Sequence, residues 1–164
     1  MNKPTLTTSG DPVDSQVKQR ILDSGEQLFA ERGFDGTSVR TITNQAQCNL
    51  ASVNYHFGGK DKLYVEVFRR QLVHLRQVRI AGIEKVVKTE GASLTIEQLL
   101  YAFAHVFLDP LVEPSQGHRF TQLMLRELSD PLLPANLLFD EMFYPVSRVL
   151  LEALLQLYPK LDQL

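Results

Sequence analysis

Apolar positions along the chain recur at helical spacing, and no segment alternates strictly over the length of a strand. Residues 1–13 precede any such period. They are polar, carry Pro4, Gly10 and Pro12, and read as a disordered arm. From Asp14 the pattern changes. Val17, Ile21, Leu28 and Phe29 share one helical face, with Asp14 or Ser15 as N-cap and Gly33 just past the last turn, so a first helix is predicted over 15–32. Phe34-Asp35-Gly36 is a turn, and Thr37 is placed to cap a second helix. Val39, Ile42 and Ala46, spaced i, i+3, i+7, mark that helix as a short one. Gln47-Cys48-Asn49 is the next turn. Asn49 caps a third helix from Leu50 to about His56, with Val53 and Phe57 facing inward.

Gly58-Gly59 then breaks the chain, and Lys60-Asp61-Lys62 opens a much longer helix reaching about Val87. Its apolar stripe holds Leu63, Val67 and either Phe68 or Leu72. Residues 88–93 read as a loop. Thr95 with Gln98 matches a capping box that starts a helix to about Leu108, ended by Asp109-Pro110 and Glu113-Pro114. Ile96, Leu99, Leu100, Phe103, Val106 and Phe107 make that helix apolar on most faces, which predicts deep burial. A further helix covers Gly117 to Leu128 and stops at Ser129-Asp130-Pro131. Pro134 sits in the first turn of a last helix that runs toward Tyr158, kinked where it crosses Pro145. The fold class is therefore all-α.

Composition adds bounds rather than detail. The 164 residues are 44% apolar and 22% charged, an ordinary globular balance with enough chain to bury a core. Cys48 is the single cysteine, so an intrachain disulfide is excluded and a reduced cytoplasm is the expected location. The first residues lack the apolar stretch of a signal peptide, and no run of about 18 apolar residues predicts a membrane span. Net charge is −2, which argues against indiscriminate coating of nucleic acid. Residues 1–70 carry nine Lys/Arg against eight Asp/Glu, and the remainder eight against eleven, so the slight basic excess lies toward the N-terminus.

The candidate chemistry lies within Thr37–Lys62. Two short helices joined by a tight turn form the helix-turn-helix unit, whose second helix can enter a DNA major groove. Its exposed face would present Leu50, Ala51, Ser52 and Asn54. Asn pairs bidentately with adenine, Ser pairs with either base type, and Leu or Ala touches a thymine methyl. Flanking that face are donors suited to phosphates: the Thr37 and Ser38 hydroxyls, Arg40, Asn49, Tyr55, His56 and Lys60, together with the backbone amides at the starts of the second and fourth helices. Equally, Tyr55 reads as a core aromatic with a surface hydroxyl, His56 as a cap on a turn, and Asn54 as a local turn former. Cys48 reads as a small buried residue rather than a reactive thiol.

The stretch from Ile21 to Leu72 resembles the N-terminal domain of the TetR family. The resemblance is carried by Leu28-Phe29 before Glu31-Arg32-Gly33-Phe34, by Gly36-Thr37-Ser38-Val39 before Ile42 and Ala46, and above all by Asn54-Tyr55-His56-Phe57 followed by Gly58, Lys60 and Leu63. It implies that residues 50–54 form a recognition helix and that Thr37, Tyr55, His56 and Lys60 contact phosphate. The later stretch Leu125-Arg126-Glu127-Leu128-Ser129-Asp130-Pro131 resembles the CecR-like branch. Where the family has glycine first in the turn, this chain has Gln47, which must take the turn conformation without glycine's freedom.

On this resemblance the organisation is a disordered arm at 1–13, a DNA-binding domain at 14–60, and a helical ligand-sensing and dimerisation domain at 61–164. Two family helices that pair with a partner subunit would lie beyond Leu164, leaving that domain incomplete. The last helix agrees in needing cover. Val146, Val149, Leu150, Leu151, Leu154, Leu155, Leu157, Leu161 and Leu164 occupy more than one face.

The implied function is a ligand-responsive transcriptional repressor that binds a palindromic operator in double-stranded DNA as a homodimer. No cofactor is expected, only a small-molecule effector. Its pocket would be lined by Phe103, Phe107, Phe120, Met124, Phe139 and Phe143, with His105, His118, Arg119 and Arg126 adding polar groups. A ligand-driven shift at the far end of the fourth helix would tilt the head and change the separation of two heads, which must sit roughly 34–36 Å apart to read both half-sites. The competing reading is a helical protein-interaction module that uses the helix-turn-helix only as scaffold. The polar face of residues 50–56 disfavours it. An enzyme is not expected: His56, His74, His105 and His118 lack metal-ligand spacing, and no phosphate loop or nucleophile elbow occurs.

Overall fold

A computed structural model of the chain describes residues 12–112 and 117–160. The predicted arm at 1–13 falls outside these residues except for Pro12 and Val13, and Leu161 and Leu164 also fall outside. The described residues form helices joined by turns, with no strand among them: α1 Pro12–Arg32, α2 Val39–Gln45, α3 Ala51–Phe57, α4 Lys60–Glu90, α5 Ile96–Val112, α6 Gly117–Ser129 and α7 Tyr144–Leu157. The chain divides into two compact units, Met1–Val67 and Phe68–Leu164. The first residues of α4 belong to the first unit and the rest to the second.

In the first unit, α1 begins about a turn earlier than predicted. Pro12 stands at its first position, where a missing N–H costs nothing and the fixed φ suits a helix. The helix ends as expected: Gly33 adopts φ 74° and its N–H closes on the Phe29 carbonyl at 2.9 Å. Ile21, Leu28, Phe29, Ile42, Val53, Leu63 and Val67 are almost wholly enclosed. Phe29 meets Tyr64 edge-on at 5.1 Å, and Phe34 closes the aromatic group against Tyr64 at 5.3 Å. Gly36 is required at the corner between α1 and α2, because a Cβ there would lie 2.4 Å from the Arg32 carbonyl oxygen.

In the second unit, the core is built on Ile83, Leu94, Leu99, Val146 and Ala153, with Phe103, Val106, Phe107, Val149 and Leu154 packed against it. The predicted capping box is present: Thr95 N–H donates to Gln98 Oε1 at 2.9 Å, and Gln98 N–H to Thr95 Oγ1 at 3.3 Å. Three expectations change. The predicted loop at 88–93 is shorter, since α4 runs to Glu90 and Gly91–Ser93 form one 3-10 turn. The next helix continues past Asp109-Pro110 to Val112; with Pro110 in its final turn, few bonds are sacrificed. And α5 is not buried all round, for Leu100, Tyr101 and Leu108 are more than half exposed while Leu99 is enclosed.

Pro145 acts on the last helix as predicted in place but not in kind. Residues Phe139–Phe143 form a π-helical turn before α7, with the Tyr144 N–H bonded to the Phe139 carbonyl five residues back. Pro145 has no N–H to give the Glu141 carbonyl four residues earlier. That carbonyl accepts instead from Arg76 on α4, at 3.0 Å. The Glu141 carboxylate also receives Arg76 at 3.2 Å and Arg69 at 3.0 Å, so two arginines two turns apart hold the irregular turn onto α4.

Candidate DNA-binding site

The unit α2–turn–α3 is assembled by local hydrogen bonds that the sequence specifies. Ser38, not Thr37, is the N-cap of α2; its backbone is extended and its Oγ accepts from the Thr41 N–H at 3.0 Å. The turn passes through Gln47 at φ 51°, the left-handed region entered without glycine, as the departure from the family pattern required. It is tied by Cys48 N–H to the Thr43 carbonyl at 3.0 Å. Leu50, not Asn49, is the N-cap of α3, which starts at Ala51 rather than Leu50; Asn49 stands one residue before the cap, where its Oδ1 accepts from Ala51 N–H and its carbonyl from Ser52 N–H, both at 2.9 Å. At the other end Gly58 takes φ 77° and returns its N–H to the Asn54 carbonyl.

This geometry splits α3 by face. Val53 and Phe57 turn into the core at 0% and 7% exposure, as predicted. On the opposite side Leu50, Ala51 and Asn54 are exposed and Ser52 is half-buried. Tyr55 is 77% exposed, which rejects the core-aromatic alternative. Ser38, Arg40 and Asn49 are exposed beside this face. The result is a short helix whose outward side carries small and hydrogen-bonding groups, with a cation and a phenol at its margins. That chemistry suits base edges and phosphates.

Three predicted phosphate donors are placed differently. Thr37 is 1% exposed, and its hydroxyl donates to the Leu28 carbonyl at 3.1 Å and the Gly33 carbonyl at 2.7 Å. It satisfies carbonyls at the end of α1 rather than facing outward. The His56 side chain is 7% exposed, with Nε2 at 3.6 Å from Asp14 Oδ1. It joins α3 to the start of α1. Lys60 places Nζ 3.1 Å from both the Phe34 and Thr37 carbonyls and 3.9 Å from the centre of the Phe34 ring. Two of its three N–H donors thus pin the α1–α2 corner. Apart from Gly33, four residues before Thr37, these partners are distant in sequence, and spacing alone carried no sign of them.

The sequence reading also missed a contribution from α1. Val13, Asp14 and Val17 line a surface pocket of about 450 Å³ with Asn49, Ala51, Ser52, Tyr55 and His56. The start of α1 therefore flanks the N-terminal end of α3. The only signal was the 3.6-residue period, which placed Val17 on the apolar face but gave Asp14 merely a capping role.

The residues expected to line an effector pocket are dispersed in role. Phe103 and Phe107 are half-buried and pack together at 4.7 Å. Phe120 packs edge-on to Phe68 at 6.3 Å, and Met124 is half-buried. Phe139 and Phe143 are exposed, not interior, because the π-helical turn changes the phase of its side chains and points Met142 inward instead. His105, His118, Arg119 and Arg126 are exposed as well. Glu127, by contrast, is 6% exposed, and its Oε1 accepts from Leu132 N–H at 2.8 Å and Leu133 N–H at 2.7 Å. No group of three or more metal-ligating side chains is found among the described residues. No helix among them is long and apolar enough to cross a membrane.

Fold and site together define a helix-turn-helix protein. Residues 21–67 match the family model described as "Bacterial regulatory proteins, tetR family". Among curated proteins, "Probable HTH-type transcriptional regulator YttP" of Bacillus subtilis is 28% identical over 113 residues, spanning 69% of this chain and 51% of that protein. The HTH-type transcriptional repressor AcnR of Corynebacterium efficiens is 29% identical over 85 residues, or 51% of this chain and 44% of that one. The chain thus spans about half the length of these relatives. Among solved structures, a Mesorhizobium loti protein assigned to the TetR family superposes with a TM-score of 0.68 at 16% identity, covering 89% of this chain and 71% of that one. A Pseudomonas aeruginosa protein assigned as a transcriptional regulator gives 0.66 at 20% identity, covering 97% and 72%. The similarity to this family is thus carried by residues 21–67, and the solved structures share the fold.

Proposed function

We propose that this chain carries the DNA-reading head and the sensor body of a ligand-responsive repressor that binds a palindromic operator as a homodimer in the cytoplasm. The observation that carries the reading is the division of α3. Val53 and Phe57 anchor it, while Leu50, Ala51 and Asn54 project outward beside exposed Ser38, Arg40 and Tyr55. The cores of protein-docking faces are enriched in aromatic residues and Met, whereas this face carries mostly small and hydrogen-bonding groups. The repressor sense follows the names of relatives, AcnR being a transcriptional repressor and IcaR of Staphylococcus epidermidis a negative transcriptional regulator. Within the family, the stretch Leu125–Pro131 favours the CecR-like branch.

Direct and backbone readout separate by mutation. Asn54→Ala should relax specificity, lowering the ratio of cognate to scrambled duplex affinity by about tenfold or more, the worth of one bidentate base contact. Arg40→Ala should instead weaken all duplexes alike and reduce the slope of log K against log salt by about 1. Fluorescence anisotropy at several salt concentrations reads both. Identical effects of both substitutions on every duplex would remove α3 as the reading element.

A further inference from the structure

Arg79 stands apart from the other arginines of α4. Arg69 and Arg76 share the Glu141 carboxylate. Arg79, a turn further on, is 7% exposed, and among the described residues no carboxylate pairs with it. Its guanidinium lies 3.9 Å from the centre of the Phe107 ring, and Nη1 meets the thioether of Met142. A ring face and a thioether are weak company for a full charge: the first offers a quadrupole and the second a poor acceptor. Nε is enclosed with no hydrogen-bond partner among the described residues. Burial accordingly pushes the Arg79 pKa down from its usual range.

An enclosed cation with no carboxylate beside it among the described residues is a costly arrangement, which an anionic ligand would offset. We infer that Arg79 is the anchor of an effector site in the second unit, and that its ligand is a monoanionic carboxylate carried on an aromatic or aliphatic body. A single guanidinium balances one negative charge, so a monoanion fits where a dianion would leave charge unmet. Its planar fork matches a carboxylate, with Nε–H still to be spent. The apolar part of the ligand is set by what surrounds the charge: Phe107 beneath the guanidinium, Phe103 packed on it at 4.7 Å, and Met142. Met142 is also the neighbour best able to yield. Its side chain is unbranched, and it sits in the π-helical turn, a distortion that recurs at functional sites. One turn further along α4, Gly82 lets the Val106 side chain of α5 pack closely, since a Cβ there would meet Val106 Cγ1.

This deepens the ligand-responsive reading and rests on it for any consequence at DNA, but binding itself is measured on the protein alone. The experiment is calorimetric titration of the full chain with 4-phenylbutyrate and decanoate, each against its own primary amide. The carboxylates should bind at least about tenfold more tightly than the amides. Arg79→Met should erase that preference while still folding, because it removes a buried charge in favour of an apolar side chain. Arg79→Lys, which keeps the charge and loses the fork, should retain part of it. Equal binding of acid and amide, binding of neither, or a preference that survives in Arg79→Met would overturn the inference and leave Arg79 as a packing residue on Phe107. Operator binding of the unliganded parent protein is a separate readout. Its failure would sink the DNA reading while leaving the Arg79 result standing.

Discussion

Replacing Glu127 by alanine should cost about 2–4 kcal/mol of stability in the second unit, because two backbone N–H groups then lose a charged acceptor in a partly enclosed site. The geometry leaves little slack. Oε1 receives Leu132 N–H at 2.8 Å and Leu133 N–H at 2.7 Å, and the residue is 6% exposed. The segment it holds follows Pro131 and has no helical bonds of its own until Leu137. Glutamine keeps one acceptor oxygen of similar reach, so Glu127→Gln should lose less than half as much. Urea denaturation followed by circular dichroism at 222 nm checks both. A Glu127→Ala protein within about 0.5 kcal/mol of the parent would show that this carboxylate is not what fixes the turn.

Lys60→Met should destabilise the first unit by about 1.5–3 kcal/mol, the combined loss of charge-assisted bonds to two carbonyls and a cation–π contact. The same substitution distinguishes two roles for the residue. If Lys60 acts mainly at a phosphate, as the family resemblance implies, the variant melts like the parent and its salt dependence of DNA binding drops by about one unit of slope. The structure leads to the opposite result. With Nζ bonded to the Phe34 and Thr37 carbonyls, its loss frees the corner between α1 and α2, lowers the melting temperature, and weakens DNA binding through the misplaced helix. Thermal denaturation beside anisotropy at two salt concentrations decides between them.

The elements of this chain were legible wherever the determinant is local. Gly33 and Gly58 mark helix ends because their left-handed φ is a property of single residues. The Thr95–Gln98 box lies within three residues of what it binds, and so does the Asn49 side chain that accepts from Ala51, although the cap position itself falls on Leu50. Gln47 was legible as a departure, and its φ of 51° is the consequence. The candidate site was legible as a face but not as a set of free donors. Besides the nearby Gly33 carbonyl that Thr37 also bonds, Thr37, His56 and Lys60 find partners 9, 42 and 26 residues away in sequence, and only the folded chain brings Leu28, Asp14 and Phe34 to them. The body was less legible still. An aromatic-rich composition does not say which rings turn inward, and the π-helical turn at Phe139–Phe143 changed the facing of two of them. Arg79 gave no sequence signal, since its isolation depends on which neighbours lack a carboxylate.

The central claim is that α3 reads DNA through Leu50–Asn54. The measurement that addresses it most directly is selection of bound duplexes from a random pool by the purified chain at fixed salt, carried out in parallel with Asn54→Ala. One sequence with half-sites about one helical turn apart, or multiples of it, should be enriched, with a loss of preference at particular base pairs in the variant. A pool that emerges without any enriched sequence, or the same preferences in the parent and in Asn54→Ala, would contradict it.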